Sequence, residues 1–312
     1  IGASFVITQY HTSVMFAPNI KGTANAVAGG WGNLGGGITN MVMPVIFAGI
    51  VGLGYTNSEA WRLAMIVPGS MLLICAFLYY NYTQDSPDGN FSDFVKPIGK
   101  KENTNTLEVL TDWRVWVLAL AYSICFGMEI TFDNVAALYF VDTFNFDQKA
   151  AGLLAGLFGF MNIFARALGG IFADRIGRVY GISGKSWLLA GFLVLEGIGL
   201  YFFSNTLTIT YAIVAMLSFA LFLKMANGAT YAITPFINSK NVGLVAGIVG
   251  AGGNIGGMLM GFLFKSESIS YAEAFQYIGG AAVVVGLLVA LTKFATKNKE
   301  VKPNTVFEEV LA

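Results

Sequence analysis

Several ionisable side chains lie within long apolar runs of this 312-residue sequence. Among them are Glu129, Asp133, Arg166 and Lys224. An arginine at the centre of a membrane helix costs about 2.5–3.5 kcal/mol on insertion scales, so Arg166 should face the protein interior and could bind a ligand there. The alternatives are an internal salt bridge or a side chain that extends to the membrane surface.

Glu129 and Asp133 are four residues apart and would therefore share one face of a helix. Two carboxylates close together in an apolar site tend to retain one proton, so both residues are candidates for coupling a process to protons. The structural alternative is that one of them pairs with Arg166 or Lys224.

Lys224 has no partner nearby in the sequence. It is a second cation for an anionic ligand, a side chain that reaches the membrane surface, or the partner of Glu196 on the preceding helix. Asn227 and Tyr231 follow one and two turns later and would line the same cavity.

A glycine-rich stretch with a central asparagine occurs twice, at residues 22–44 and 243–264. Asn33 and Asn254 are 221 residues apart, and superposing them aligns five glycines in each copy. Small residues let membrane helices approach closely. The glycines expected to pack in this way are Gly29, Gly32, Gly36, Gly250, Gly253 and Gly257. An amide in hydrocarbon needs a partner or a ligand, so Asn33 and Asn254 are candidate binding residues, and the repeat indicates two similar halves.

The composition is that of a membrane protein. Hydrophobic residues make up 55% of the chain and charged residues 12%, which is about half the charged fraction of a soluble domain. Apolar runs of about 20 residues recur, which predicts an all-α polytopic membrane protein in contact with the lipid bilayer. The net charge is zero, so nothing favours nucleic acid as a partner. His11 is the only histidine, and Cys75 and Cys125 lack metal-ligand spacing, so we expect no metal and no cofactor.

No enzyme is predicted. Residues 30–35 fit a dinucleotide-binding glycine pattern, but that pattern requires a preceding strand, and the flanking segments here are membrane helices. The sequence also contains no evident arrangement of a nucleophile and a base.

The two glycine and asparagine segments resemble the paired nitrate signatures of the nitrate/nitrite porters, within the major facilitator superfamily. The variant is similar to the eukaryotic high-affinity branch of algae and plants, and the resemblance covers essentially the whole chain. It implies import of nitrate or nitrite with protons across the plasma membrane by alternating access. Some relatives of this kind also require a small accessory membrane protein.

Nine apolar runs are complete or partial membrane spans. They comprise residues 1–16, 22–51, 61–80, 113–141, 150–172, 187–203, 207–237, 242–264 and 272–291. Six runs follow the polar segment 81–112 and three precede it. We therefore expect a major facilitator fold of two six-helix halves, twelve helices when complete, of which this chain carries part of helix 4 to helix 12. Residues 1–80 would end the first half, 81–112 form the linker, 113–291 the second half and 292–312 a polar tail.

The distribution of basic residues predicts the orientation. If the linker 81–112 is cytoplasmic, thirteen Lys and Arg residues lie on the cytoplasmic side and three outside. This is the bias expected for cytoplasmic loops, so the linker and the tail should both be cytoplasmic.

The resemblance also assigns roles to residues. Asp174, Arg175, Gly177 and Arg178 match the superfamily's loop motif between helices 8 and 9, which holds helices together in one state of the cycle. Asp174 itself could pair with a base or a helix end. Arg166 falls on the position of the family's substrate arginine in helix 8, and its planar guanidinium matches planar nitrate better than an ammonium does. The family's second substrate arginine, on helix 2, would precede this sequence.

Two other functions stay open on the sequence alone. One is a facilitator for another small solute, although a sugar site usually needs several amides and aromatic rings and no central arginine. The other is a membrane receptor that senses nitrate without moving it, which a flux measurement would distinguish.

Overall fold

The computed structural model describes residues 2–90 and 106–294, with side chains described from residue 5 onward. These residues are almost entirely helical, and the only strand-like pairing among them is an isolated bridge between Ser86 and Gly89. The helices are α1 (Gly2–Met15), α2 (Lys21–Gly52), α3 (Asn57–Ala64), α4 (Ile66–Tyr82), α5 (Thr106–Thr111), α6 (Trp113–Phe144), α7 (Gln148–Phe160), α8 (Ala165–Ser204), α9 (Ile209–Ile233), α10 (Val242–Lys265) and α11 (Tyr271–Leu291). Short 3₁₀ turns at Met161–Ile163 and Thr234–Phe236 follow α7 and α9.

Seven helical segments within the described ranges are long and apolar enough to cross a membrane. The prediction of an all-α protein that crosses the bilayer several times is therefore confirmed. The segments are fewer than the nine predicted spans for two reasons. First, α1 has only 14 residues, and second, residues 148–204 count as one apolar segment of 57 residues.

The long segment 148–204 contains two crossings because the chain folds back at Gly181. This glycine has φ +62°, ψ −153° inside α8, a conformation that only glycine adopts readily. A straight helix would hold residues 177 and 185 about 12 Å apart. Instead, a Cβ atom at Gly177 would meet the side chain of Lys185. The predicted spans 150–172 and 187–203 are thus joined by helix on both sides of a sharp reversal at Gly181.

The predicted span 61–80 is divided between α3 and α4 at Met65, three residues before Pro68. The ring of a proline clashes with the carbonyl group four residues earlier, here Ala64, which is the last residue of α3. The helix therefore breaks about one turn before Pro68.

The second half, α6 to α11, contains most of the buried core, and glycines set its helix spacing. A Cβ atom at Gly127 of α6 would lie 2.7 Å from the backbone of Gly256 on α10. Between α8 and α11, a Cβ atom at Gly279 would lie 2.8 Å from the carbonyl oxygen of Gly197. Backbones this close exclude any larger residue, so these glycines define which helices pair.

Helix α2 joins the two halves, because it packs on α7, α8 and α9. It approaches α7 closely, since a Cβ atom at Gly159 would lie 2.5 Å from the Cα atom of Gly37. The sequence analysis did not predict this contact between Gly37 and Gly159.

Five of the six predicted packing glycines face other helices. The neighbours of an added Cβ atom are Arg166 for Gly29, Asp133 for Gly36, Val6 for Gly250, Tyr122 for Gly253 and Ile130 for Gly257. Gly32 differs, since no described atom lies within 4 Å of its Cβ position. The close packing predicted for Gly32 is not found within the described ranges and stays a prediction.

The predicted linker 81–112 and tail 292–312 are described only in part. Residues 91–105 and 295–312 of these two segments lie outside the described residues. Where the linker ends, Asp112 caps α6 by accepting hydrogen bonds from the backbone N–H of Arg114 at 3.0 Å and from its side chain at 2.6 Å.

Candidate functional site

A buried cluster of two cations, one carboxylate and two amides lies at the centre of the second half. Glu129 Oε1 accepts hydrogen bonds from Asn162 Nδ2 at 2.6 Å and from Lys224 Nζ at 3.0 Å. Its Oε2 accepts one from Asn227 Nδ2 at 2.6 Å and lies 3.6 Å from Arg166 Nη1. We call these five residues the Glu129 cluster. Its two positive charges and one carboxylate leave one positive charge in excess when Glu129 is ionised.

The cluster decides between the interpretations left open by the sequence. Glu129 forms ion pairs with both Arg166 and Lys224. This is the structural alternative, in which one of the two carboxylates of α6 pairs with a buried cation. Lys224 does not reach the membrane surface, because its side chain is fully buried and its Nζ lies 4.1 Å from the ring centre of Phe158. Pairing of Lys224 with Glu196 is wrong for this structure, since Lys224 binds Glu129 instead.

Local breaks in the helices position the cluster. Asn162 lies in the 3₁₀ turn between α7 and α8. Phe164 has non-helical angles just before α8 begins at Ala165, and Arg166 is the second residue of that helix. The turn brings the Asn162 amide to Glu129, and α9 supplies Lys224 and Asn227 from one face, three residues apart. Asn162 was missed from the sequence, although an amide four residues before a buried arginine was a usable signal.

Arg166 is 1% exposed, and part of its hydrogen-bonding capacity is unused. Its Nη2 donates to the hydroxyl oxygen of Tyr122 at 2.9 Å, whereas Nε and Nη1 have no hydrogen-bond acceptor among the described residues. The guanidinium carbon lies 5.5 Å from the ring centre of Phe5 and 5.8 Å from that of Phe126. A buried cation with unused donors can bind an anion.

Polar groups from the first half approach the same arginine. A Cβ atom at Gly29 would lie 3.0 Å from Arg166 Nε and 3.2 Å from Gln9 Nε2. Gln9 Nε2 donates to the carbonyl oxygen of Asn25 at 3.2 Å, while its own Oε1 has no donor in the described ranges. The hydroxyl of Tyr231, beside the ring of Phe5, is also buried without a described partner. A larger residue at position 29 would require Arg166 or Gln9 to shift.

A cavity of about 170 Å³ opens beside the cluster, between α2 and α6. Its lining consists of Gly32, Asn33, Gly36, Phe126, Glu129, Ile130 and Asp133. Asn33 Nδ2 and Asp133 Oδ1 are buried there, and no described residue forms a hydrogen bond with either atom. A water molecule occupies about 30 Å³ of liquid volume, so this cavity can hold a small ion with a few waters. The structure thus brings Asn33, Asp133 and Glu129 together.

Asn254 is not part of this cavity. Its side-chain amide donates to the carbonyl oxygen of Gly250 at 3.0 Å, one turn earlier in α10, and the residue is exposed. The symmetry between Asn33 and Asn254 therefore does not extend to their surroundings here, and a binding role for Asn254 stays a prediction.

Asp174 of the loop motif joins the two halves at one end of the bundle. Its Oδ2 accepts hydrogen bonds from the backbone N–H of Thr23 at 2.7 Å and from the Thr23 hydroxyl at 2.9 Å, at the start of α2. Its Oδ1 accepts one from Lys185 Nζ at 2.8 Å. Asp174 thus contacts both a base and a helix end. Arg175 and Arg178 are exposed, with no hydrogen bond or ion pair to the described part of the chain.

The described ranges contain no group of three or more His, Cys, Asp or Glu residues placed to hold a metal ion.

Comparison with known proteins assigns the family. The model of the Major Facilitator Superfamily matches residues 1–238. The chain belongs to the Major Facilitator Superfamily. The all-α, polytopic fold expected for that superfamily agrees with the helices described above.

Individual relatives of this superfamily member are transporters. The chain is 37% identical over 297 residues to the high affinity nitrate transporter 2.5 of Arabidopsis thaliana, covering 94% of this chain and 59% of the relative. It is 38% identical over 304 residues to the nitrate transporter 2.2 of Chlamydomonas reinhardtii, covering 93% and 59%. A more distant match is the nitrate/nitrite transporter NrtP of Nostoc punctiforme, at 25% identity over 368 residues. The chain thus spans about three fifths of the length of the first two.

Proposed function

We propose that this protein is a secondary transporter that imports nitrate, and also nitrite, together with protons, rather than an enzyme. The observation that supports this most directly is the buried Arg166, whose unused donors lie among aromatic rings next to a polar cavity. The similarity to nitrate transporters from a plant and an alga gives independent support.

The chemistry of nitrate fits the groups available. Nitrate is planar and carries one negative charge, and the Glu129 cluster has one positive charge in excess. The guanidinium can donate two parallel N–H bonds to two oxygens of a planar anion. Asn33 Nδ2, unpaired in the adjoining cavity, is the second donor proposed for the substrate. Phe126 lines the cavity and offers an apolar face to a weakly hydrated ion.

Glu129 and Asp133 have different roles in this proposal. Glu129 is held by three hydrogen bonds and two cations, which favours its ionised form and makes it the residue that positions Arg166 and Lys224. Asp133 faces the cavity with an unpaired Oδ1. Asp133 is therefore the better of the two candidates for carrying a proton that enters with the anion.

Alternating access requires the two halves to move about a central site. In the proposed topology the Asp174–Thr23 contact is cytoplasmic, so it closes the inner side of the bundle in this state. Opening toward the cytoplasm would break these two hydrogen bonds. The smooth glycine contact between Gly37 and Gly159 would let α2 slide on α7.

The proposed setting is the plasma membrane, with residues 81–112 and the tail 292–312 in the cytoplasm. A small accessory membrane protein is a further proposed partner, by similarity with the nitrate porters.

The test is a flux measurement on the complete natural protein that contains these residues, purified and reconstituted in liposomes. Labelled nitrate should accumulate when the outside is made acidic, and excess nitrite should compete whereas sulfate should not. Saturable nitrate binding without any flux would identify a receptor instead. Flux of an uncharged solute without nitrate flux would identify another facilitator.

A further inference from the structure

A second carboxyl group in the bundle has no role in the site described so far. Glu196 lies in the part of α8 that follows Gly181 and is 0% exposed. Both of its carboxyl oxygens are buried, and no described residue donates a hydrogen bond to either. Glu129, which is equally buried, has hydrogen bonds to both oxygens.

The helices around Glu196 offer no counter-charge. Helix α6 presents Glu129 and the thiol of Cys125, both of which interact electrostatically with it. The only charged residue of α9 is Lys224, which is bound to Glu129. The charge of α11, Glu273, lies at its first turn, where it accepts a hydrogen bond from the backbone N–H of Ser270.

Helices α2 and α7 and the 3₁₀ turn between α7 and α8 direct no counter-charge at Glu196. The charged residue of α2 is Lys21 at its start, and that of α7 is the exposed Lys149. The 3₁₀ turn presents Asn162, whose amide is bound to Glu129. No cation is thus directed at Glu196 from the described helices.

An ionised carboxylate in such a place is strongly disfavoured. Transfer of an unpaired carboxylate into an apolar interior costs several kcal/mol even after relaxation, so the group takes up a proton instead. The negative charge of Glu129 acts in the same direction, because like charges in a low-dielectric interior repel. Burial, missing donors and a neighbouring anion therefore all favour the neutral acid.

We propose that Glu196 is a proton-binding site of the second half, linked to the anion site at Arg166 through Glu129. This inference rests on the proposed function. An anion bound at Arg166 adds negative charge beside Glu129 and so stabilises the proton on Glu196. By the reciprocity of linkage, the proton on Glu196 strengthens anion binding by the same factor.

The proton balance is simple. The carboxylate takes one proton from the aqueous side that the open state faces, and the neutral acid returns it to the opposite side after the halves have moved. Release requires that the cycle admit water to Glu196 or bring Lys224 to it.

Glu196→Gln mimics the neutral acid and tests the linkage. In the complete protein we expect nitrate–nitrate exchange within about twofold of the original, because anion binding is preserved. Accumulation driven by a pH gradient should fall at least about tenfold, and the nitrate affinity should change less with pH, because only the contribution of Asp133 remains. The matched control is Glu267→Gln, an exposed glutamate after α10, which should leave accumulation unchanged.

Infrared difference spectroscopy gives a readout that does not depend on transport. Raising the pH of the unmodified protein should remove a protonated carboxyl band that is absent from Glu196→Gln and present in Glu267→Gln. If Glu196→Gln fails to fold, Glu196→Asp keeps a carboxyl group and should shift the band.

The outcomes separate the two proposals. A Glu196→Gln protein that accumulates nitrate with unchanged pH dependence, or a band unaffected by changes at Glu196, overturns the role of Glu196. A complete protein that moves no nitrate overturns the proposed function, while the infrared titration still tests the protonation of Glu196.

Discussion

The hydrogen-bond partners of Glu129 and Arg166 indicate a structural role for Glu129 and a ligand-binding role for Arg166. Every carboxyl oxygen of Glu129 has a donor, so this residue is satisfied without a ligand. Among the described residues Arg166 has a hydrogen-bond partner only at Nη2, while Nη1 forms a 3.6 Å ion pair with Glu129 and both Nε and Nη1 lack a hydrogen-bond acceptor. Buried donors left unpaired cost about 1–3 kcal/mol each, which a bound anion would recover.

Replacing Glu129 and Asp133 in turn tests this division. Glu129→Gln leaves Arg166 and Lys224 without their counter-charge, and breaking a buried ion pair typically costs about 3–5 kcal/mol. We expect a clear loss of thermal stability and of membrane-inserted protein. Asp133→Asn removes only an unpaired carboxyl group, so the protein should fold and bind nitrate but lose pH-driven accumulation.

The readouts are thermal unfolding in detergent, nitrate binding and uptake at several external pH values. Glu59→Gln, at an exposed helix start, serves as the control for Glu129→Gln. Equal stability of the Glu129→Gln and Glu59→Gln proteins would contradict the assigned role of Glu129.

At the scale of single helices, glycine decides how closely neighbours approach. Gly253 of α10 faces the rings of Tyr122 and Phe126, and an added Cβ atom would lie 2.6 Å and 2.7 Å from them. Gly32 of α2 lines the cavity and meets no described atom within 4 Å. The two glycines are equivalent in the sequence repeat but not in their surroundings.

Replacing these two glycines by leucine should therefore impair the protein for different reasons. Gly253→Leu should force α6 and α10 apart and lower the amount of folded protein, because overpacking costs about 1–3 kcal/mol or more. Gly32→Leu should fold with nearly unchanged stability and block nitrate binding by filling the cavity. Size-exclusion profiles and binding assays on both variants distinguish these effects. If both variants lost the same amount of folded protein, the proposed difference between the surroundings of Gly32 and Gly253 would be contradicted.

The sequence predicted the helices better than the contacts between them. Apolar run length located every long helix, and an arginine in an apolar run indicated a buried site. The partner of Lys224 was not predictable, because Glu129 and Glu196 are both carboxylates on other helices and only the packing selects one. Tyr122 was missed because a single ring in an apolar run has no periodic signal, whereas Asn162 was missed although its place four residues before Arg166 was a usable signal. The reversal at Gly181 was missed because helical residues flank it on both sides.

On the scale of the whole molecule, few polar contacts join the first-half helix α2 to the second half. The Asp174–Thr23 pair is the shortest of those described. Close to it, Ala26 faces α8, since a Cβ atom at Gly170 would lie 2.5 Å from the Cβ atom of Ala26, and Ala26 is 0% exposed in this state. Separation of the halves at this end would therefore expose Ala26 to water.

Asp174→Asn should weaken this closure, because the amide keeps an acceptor but loses the charge that attracts Lys185 and the start of α2. In a protein whose native cysteines are replaced, Ala26→Cys should then react faster with a membrane-impermeant thiol reagent supplied from the cytoplasmic side. Arg178→Gln, at an exposed position of the same motif, is the control and should not change the rate. An unchanged rate for Asp174→Asn would show that this contact does not hold the halves together.

The most direct test of the account is nitrate uptake by the Arg166→Lys variant of the complete protein. Lysine keeps the positive charge and removes the planar fork of donors. We predict normal surface expression and uptake reduced at least about tenfold, equivalent to about 1.4 kcal/mol, with Arg62→Lys at an exposed site unchanged. An Arg166→Lys protein that reaches the surface and takes up nitrate at the normal rate would contradict the assignment of Arg166 to the anion site.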